Sequence, residues 1–455
     1  MKKISSRSAL ALALALALLL GLLVFFGSYF LNAGKWVSFP GSPHVYTGVN
    51  PDCGAVYDRS GVLLLDTTDG RSYSADAQTR KATIHLLGDR DGFISAPLLK
   101  TYVSQLIGFD VVNGLYGSAP GQSAARLTIS ARVQKAALQA LGSYPGTIGV
   151  YNYKTGELLC AVTSPSYDPD NVPDITNDQT GAYNGVYLNR FFDAAYTPGS
   201  IFKLVTTAAA LEELDDVQTR TFTCTGKRII GGQEIICGGV HGEVDLASAL
   251  AHSCNIAFGE LAVELGAKKL EGYAKKLGLT QSMTCDGYRA ASGNVDLSSA
   301  DDGDLAWAGI GQYTDAVSAP AFLRFLGAIA NEGRGAQPYL MQRVRNGKQI
   351  TYEAEPAFLT LLDAQTAQTL AALMRKNVQT IYGDWQFSGL SVCAKSGTAE
   401  REGQTANAMF AGFVQDETCP VAFVVFVEGG GAGSAVAAPM AAQVLSVCKE
   451  VFAAE

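Results

Sequence analysis

An uncharged run from Ser8 to Gly34, rich in Leu, Ala, Val and Phe and preceded by Lys2, Lys3 and Arg7, constrains this chain more than any other feature. Such a run can span a bilayer, which needs roughly 20 apolar residues. Basic residues ahead of it predict a cytoplasmic N-terminus, with everything after Lys35 on the outer face. The competing reading is a cleaved signal peptide. Its apolar region usually covers only about 7–15 residues, and no A-x-A-like site follows Phe30, so the run is read as a retained single anchor.

The chain has 455 residues, 48% of them hydrophobic, enough for one large domain and a smaller one. A net charge of −8 with no basic stripe excludes a nucleic-acid footprint. Nine cysteines are too few for a disulfide scaffold, and the odd count leaves at least one free thiol. Cys224 and Cys237 flank TCTGKRIIGGQEIIC, where Gly231 and Gly232 suit a two-residue hairpin turn. A bridge between them and a reduced pair are both compatible with the sequence. His44, His85, His241 and His252 show no metal-ligand spacing, so neither a metal nor a cofactor is expected.

From Trp36 to about Tyr144 the elements are short and mixed, which predicts a small accessory domain over 35–145, after an anchor over 1–34. At its end LTISARVQKAALQAL begins extended and then places Val133, Ala137, Leu138 and Leu141 at helical spacing. A second domain over 146–455 opens with a β-hairpin turning at Lys154-Thr155-Gly156. Helices are expected over 200–214, 246–265 and 320–332. Strands return around GLSVCAKSGTAE, NAMFAGFVQ and VAFVVFVEG, followed by a helix over 437–454. Strands at both ends with helices between predict an α+β or α/β unit with a mostly antiparallel sheet. The Gly429–Ser434 stretch, GGGAGS, has no Lys-Ser or Lys-Thr after it and reads as a connecting loop.

Three polar segments carry the chemistry. In TPGSIFKL, Ser200 and Lys203 are three apart on a first helical turn and share a face. A serine hydroxyl needs a base, and a lysine serves only when burial or nearby positive charge lowers its pKa; Ile201, Phe202 and Leu204 supply the desolvation. The helix N-terminus and the Ser200 N–H favour a developing oxyanion. In SALAHSCNIAF, Ser253 and Asn255 interrupt an apolar region and need partners: Ser253 to carry a proton, Asn255 to bind a substrate amide and Lys203. In CAKSGTAE, Lys395 supplies a cation, Ser396 and Thr398 hydroxyls for a carboxylate, Gly397 room for substrate backbone, and Thr398 a second oxyanion N–H. Lys154-Thr155-Gly156 precedes the serine segment and reads as a turn.

In this order the segments match S-x-x-K, S-x-N and K-[ST]-G, and the chain resembles a class B penicillin-binding protein. CGAVYDRSGVLL, LTISARVQ, KTGELLCAVTSPSYDP, YLNRFF and GIGQ extend the likeness along most of the chain after the anchor. The resemblance implies the penicillin-binding transpeptidase fold, shared with serine β-lactamases, and a D,D-transpeptidase acting outside the cell membrane. Its substrates would be peptidoglycan stem peptides ending in D-Ala-D-Ala, with β-lactams as covalent mimics and a wall-building glycosyltransferase as partner. Ser200, Lys203 and Ser253 would be catalytic; Asn255, Lys395, Ser396, Gly397 and Thr398 would bind substrate. Cys53 stands where the family usually has arginine, Ser396 where threonine is commoner, and the accessory domain is short. The same apparatus suits a β-lactamase, a carboxypeptidase or a β-lactam sensor.

Overall fold

The computed structural model describes residues 2–37, 39, 46–47, 50–51, 54–68, 70–107, 123–387 and 389–454. Cys53, and with it the expectation about the missing arginine, lies outside them. Lys2–Val37 forms one helix, long and apolar enough to cross a membrane, and none of its most apolar stretch is buried.

The central sheet has five strands in the order Val392–Arg401, Gln404–Val414, Val421–Val427, Gly146–Asn152, Leu158–Ser164, every neighbour antiparallel. Val421–Val427, Gly146–Asn152 and Leu158–Ser164 are buried along their full length, because helices cover both faces. On one face Gly433–Ala454 and Ala131–Leu141 bury Val444, Leu445, Val133 and Ala137 against Ile148, Val150, Phe410 and Val425. On the other, Ala319–Ala330 and the serine helix join the larger core through Phe322, Phe325, Val205 and Ala209. The Lys154-Thr155-Gly156 turn closes as expected: Gly156 N donates to Asn152 O at 2.8 Å.

A second sheet of six strands contains Ser123–Leu127, Ala55–Tyr57, Leu63–Asp66 and Ser72–Tyr73, and takes two more, Met341–Asn346 and Gln349–Glu353, from late in the chain. The segment after residue 146 thus contributes to both sheets, which local patterning does not reveal. Two helix expectations also change. Residues 246–265 form two helices, Leu246–Ala251 and Asn255–Leu265, because Ser253 adopts a φ of 55° and breaks the run. The serine segment begins as a 3-10 turn, Gly199–Phe202, that feeds the α-helix Lys203–Glu213.

Candidate functional site

Lys203 lies at the first position of its helix and is fully buried, with its Nζ 5.6 Å from the centre of the Phe258 ring. Its Nζ is 3.1 Å from Ser200 Oγ, 2.7 Å from Ser253 O, 3.0 Å from Ser253 Oγ and 2.7 Å from Asn255 Oδ1. The left-handed backbone of Ser253 turns both its carbonyl and its hydroxyl toward this one amine. Asn255 is fixed from the other side: its Nδ2 donates to Ile236 O at 2.6 Å, leaving Oδ1 to face Lys203.

Burial first, and the charge of Lys395 second, hold the Lys203 amine well below the usual lysine range. A neutral amine has two N–H donors and one lone pair. Ser253 O and Asn255 Oδ1 are pure acceptors and take both donors, so the lone pair remains for a hydroxyl proton, with Ser200 Oγ in reach.

The strand Val392–Arg401 runs past the serine turn. Gly199 N donates to Gly311 O at 2.8 Å; Gly199 has a φ of 53°, and a Cβ there would lie 2.4 Å from Thr398 O. A Cβ on Gly397 would lie 2.9 Å from Pro198 O. Only glycine lets the serine turn and this strand approach so closely. Gly199→Ala is expected to destabilise the protein by about 2 kcal/mol or more and, by displacing the serine turn, to slow its acylation roughly 100-fold. Thermal melts and labelling kinetics of the purified variant check both; wild-type kinetics would show that this contact does not position Ser200.

Lys395 is fully buried, and burial brings its pKa down to about 7. Its Nζ donates to Ser396 O at 2.9 Å. The two hydroxyls of this strand differ in surroundings. Thr398 lines the cleft, while Ser396 Oγ lies 2.9 Å from the hydroxyl of Tyr382, which also accepts from Ser396 N at 2.9 Å. Tyr382 had no signal in the sequence, since it reaches the strand from a single π-helical turn, Val378–Tyr382.

The cleft, about 250 Å³, is lined by Ser200, Ser253, Asn255 and Thr398, with Lys203 and Lys395 buried beneath. Gly238, His252, Trp307, Ile310, Gln312 and Glu400 complete its walls. Of these, Ile310 and Gln312 belong to the GIGQ stretch, and His252 and Glu400 to the second and third polar segments, whereas nothing in the sequence singles out Trp307 and Gly238.

Residues 146–446 match the family model described as the penicillin binding protein transpeptidase domain. Peptidoglycan D,D-transpeptidase PbpA of Mycolicibacterium smegmatis is 29% identical over 371 residues, covering 74% of each chain. Penicillin-binding protein A from M. tuberculosis, solved as a ceftriaxone acyl-enzyme complex, superposes with a TM-score of 0.76 at 25% identity, covering 87% of this chain and 98% of that one. The D,D-transpeptidase domain of a peptidoglycan glycosyltransferase from Eggerthella lenta gives 0.75 at 26% identity, covering 88% and 99%. The family match runs from the first strand of the central sheet through all three polar segments into the last helix, and by it this chain belongs to the penicillin-binding protein transpeptidase family.

Proposed function

We propose that this protein is a membrane-anchored serine D,D-transpeptidase that cross-links peptidoglycan stem peptides and is trapped covalently by β-lactams. The observation that carries the site assignment is the single buried amine of Lys203 shared by Ser200, Ser253 and Asn255. Ser200 Oγ attacks the penultimate D-alanine carbonyl of a stem peptide ending in D-Ala-D-Ala, and its proton passes to Lys203. The oxyanion forms at the N–H groups of Ser200 and Thr398. Ser253, between Lys203 and the cleft, relays the proton to the departing D-alanine nitrogen, whose carboxylate is held by Lys395, Ser396 and Thr398. Asn255 binds the substrate amide, and Gly397 admits the substrate backbone. An amine from a neighbouring stem peptide then takes the acyl group, a new amide forms, and Ser200 recovers its proton.

The N-terminal helix holds the catalytic unit to the membrane, and Lys2, Lys3 and Arg7 favour a cytoplasmic N-terminus with the site outside. A glycosyltransferase that makes the glycan strands is the partner this placement suits.

Peptide mapping by mass spectrometry after penicillin treatment tests the assignment. The expected adduct is on the peptide containing Ser200, and an adduct elsewhere would reject it. Ester lifetime separates the transpeptidase from a hydrolase with the same apparatus: persistence for many minutes fits the former, rapid nitrocefin turnover a β-lactamase.

A further inference from the structure

We infer that Cys224, Cys237, His241 and Cys254 form a structural zinc site that holds Ser253 and Asn255 in register with Lys203. One ligand atom from each lies within 4.8 Å of every other. Cys237 Sγ and Cys254 Sγ are 3.7 Å apart, and Cys224 Sγ is 3.4 Å from His241 Nδ1. A tetrahedral zinc with ordinary bond lengths requires edges of roughly 3.8 Å between sulfurs and about 3.6 Å between sulfur and nitrogen. The spacing therefore fits a shared ion, whereas a disulfide needs sulfurs about 2.05 Å apart. Three thiolates and one imidazole favour Zn²⁺ over Mg²⁺, Ca²⁺ or Mn²⁺, and four protein ligands close the shell, so the ion would be structural.

The surroundings suit thiolates. Cys224, Cys237 and Cys254 are buried. Cys237 Sγ accepts N–H bonds from Asn255 at 3.0 Å and Ile256 at 3.4 Å, at the N-terminus of the helix Asn255–Leu265, where the dipole favours negative charge. Binding would displace the thiol protons to solvent.

The segment also needs a fastener. Residues 221–245 build two separate two-stranded ladders, Thr221–Cys224 with Gly242–Asp245 and Lys227–Ile230 with Gln233–Ile236, and most of their side chains are exposed or half-buried. Two-stranded ladders are marginal in water on their own, and a metal is one remedy for too little core. Cys224 comes from the first ladder, Cys237 and His241 from the connection after the second, and Cys254 from the break between Ser253 and Asn255. Gly238, between two of the ligands, lines the cleft, and the His241 ring stacks on His252 of the cleft wall at 5.5 Å. An ion here would tie the cleft wall to the residues around Lys203.

The ion site stands on its own geometry; its positioning role rests on the functions proposed for Ser253 and Asn255. The test uses the full chain, purified in detergent and reduced without chelator. Elemental analysis is expected to find about one zinc per chain, lost in Cys224→Ser and His241→Ala. Cobalt(II) added to wild type after zinc removal should give the visible bands of a tetrahedral thiolate complex, a readout that does not require the variants to fold. Zinc removal should lower the melting temperature and slow labelling by fluorescent penicillin about tenfold. Failure of reduced wild type to take up zinc or cobalt, or a disulfide among these cysteines in the untreated protein, would overturn the site. Labelling unaffected by zinc removal would overturn the positioning role, while an adduct on Ser200 would leave the transpeptidase reading standing.

Discussion

Ser200→Ala is expected to abolish covalent labelling by fluorescent penicillin while leaving the melting curve close to wild type. The Ser200 side chain reaches the half-exposed cleft, so removing one oxygen opens no core cavity. Lys203→Met should slow acylation by about 10⁴-fold, the scale seen when a nucleophile loses its base. The pH dependence has a fixed sign. Lys203 accepts a proton only when neutral, and its pKa is depressed, so acylation should persist to pH values well below those at which an ordinary lysine is protonated and decline on further acidification. Stopped-flow acylation across pH checks this. A rate that rises on acidification, or undiminished labelling of Ser200→Ala, would remove these two residues from their roles.

Lys395→Met is expected to make the protein more stable and less active. The ammonium is fully buried and its folded-state pKa is about 7, against 10.5 unfolded. Because the folded value is the lower one, the cost to the native state is complete below pH 7 and vanishes as pH rises through 10.5. Substitution should therefore stabilise by on the order of 4 kcal/mol at pH 7, falling to about 2 kcal/mol at pH 9. Methionine fills similar volume without charge. Acylation by penicillin should fall at the same time, because a bound carboxylate raises the lysine pKa and draws its cation into contact. Melts at pH 7 and pH 9 with parallel labelling measure both. A variant that is less stable at pH 7 would show that Lys395 contributes packing or hydrogen bonds exceeding the cost of its charge.

The parts of the fold visible in the sequence are those encoded within a few residues of one another. The turn at Lys154-Thr155-Gly156, the Gly231-Gly232 hairpin and the strands around Lys395 and Met409 each depend on local backbone chemistry and apolar alternation. Ser253 shows the limit of that reading. Apolar spacing from Leu246 to Leu265 continues through it, and only its left-handed backbone, held beside Lys203, divides the run into two helices. Ser396 is a second case: its hydroxyl is legible as a polar group on a strand, but its partner Tyr382 arrives from a separate turn.

The cysteines are a third case: the four histidines show no metal-ligand spacing along the chain, and Cys224, Cys237, His241 and Cys254 come together only after two small ladders fold back on the break at Ser253.

The sequence by itself determined which groups are available: an apolar helix for a membrane, a serine three residues from a lysine, two further polar segments, and the turns between strands. Tertiary structure alone decided how those groups behave, by excluding water from Lys203 and Lys395, by placing four oxygen atoms around one amine, and by joining strands 341–353 to the N-terminal sheet. Turn and helix signals act over a few residues, whereas desolvation and the convergence of segments 50 or more positions apart exist only once the chain has closed on itself.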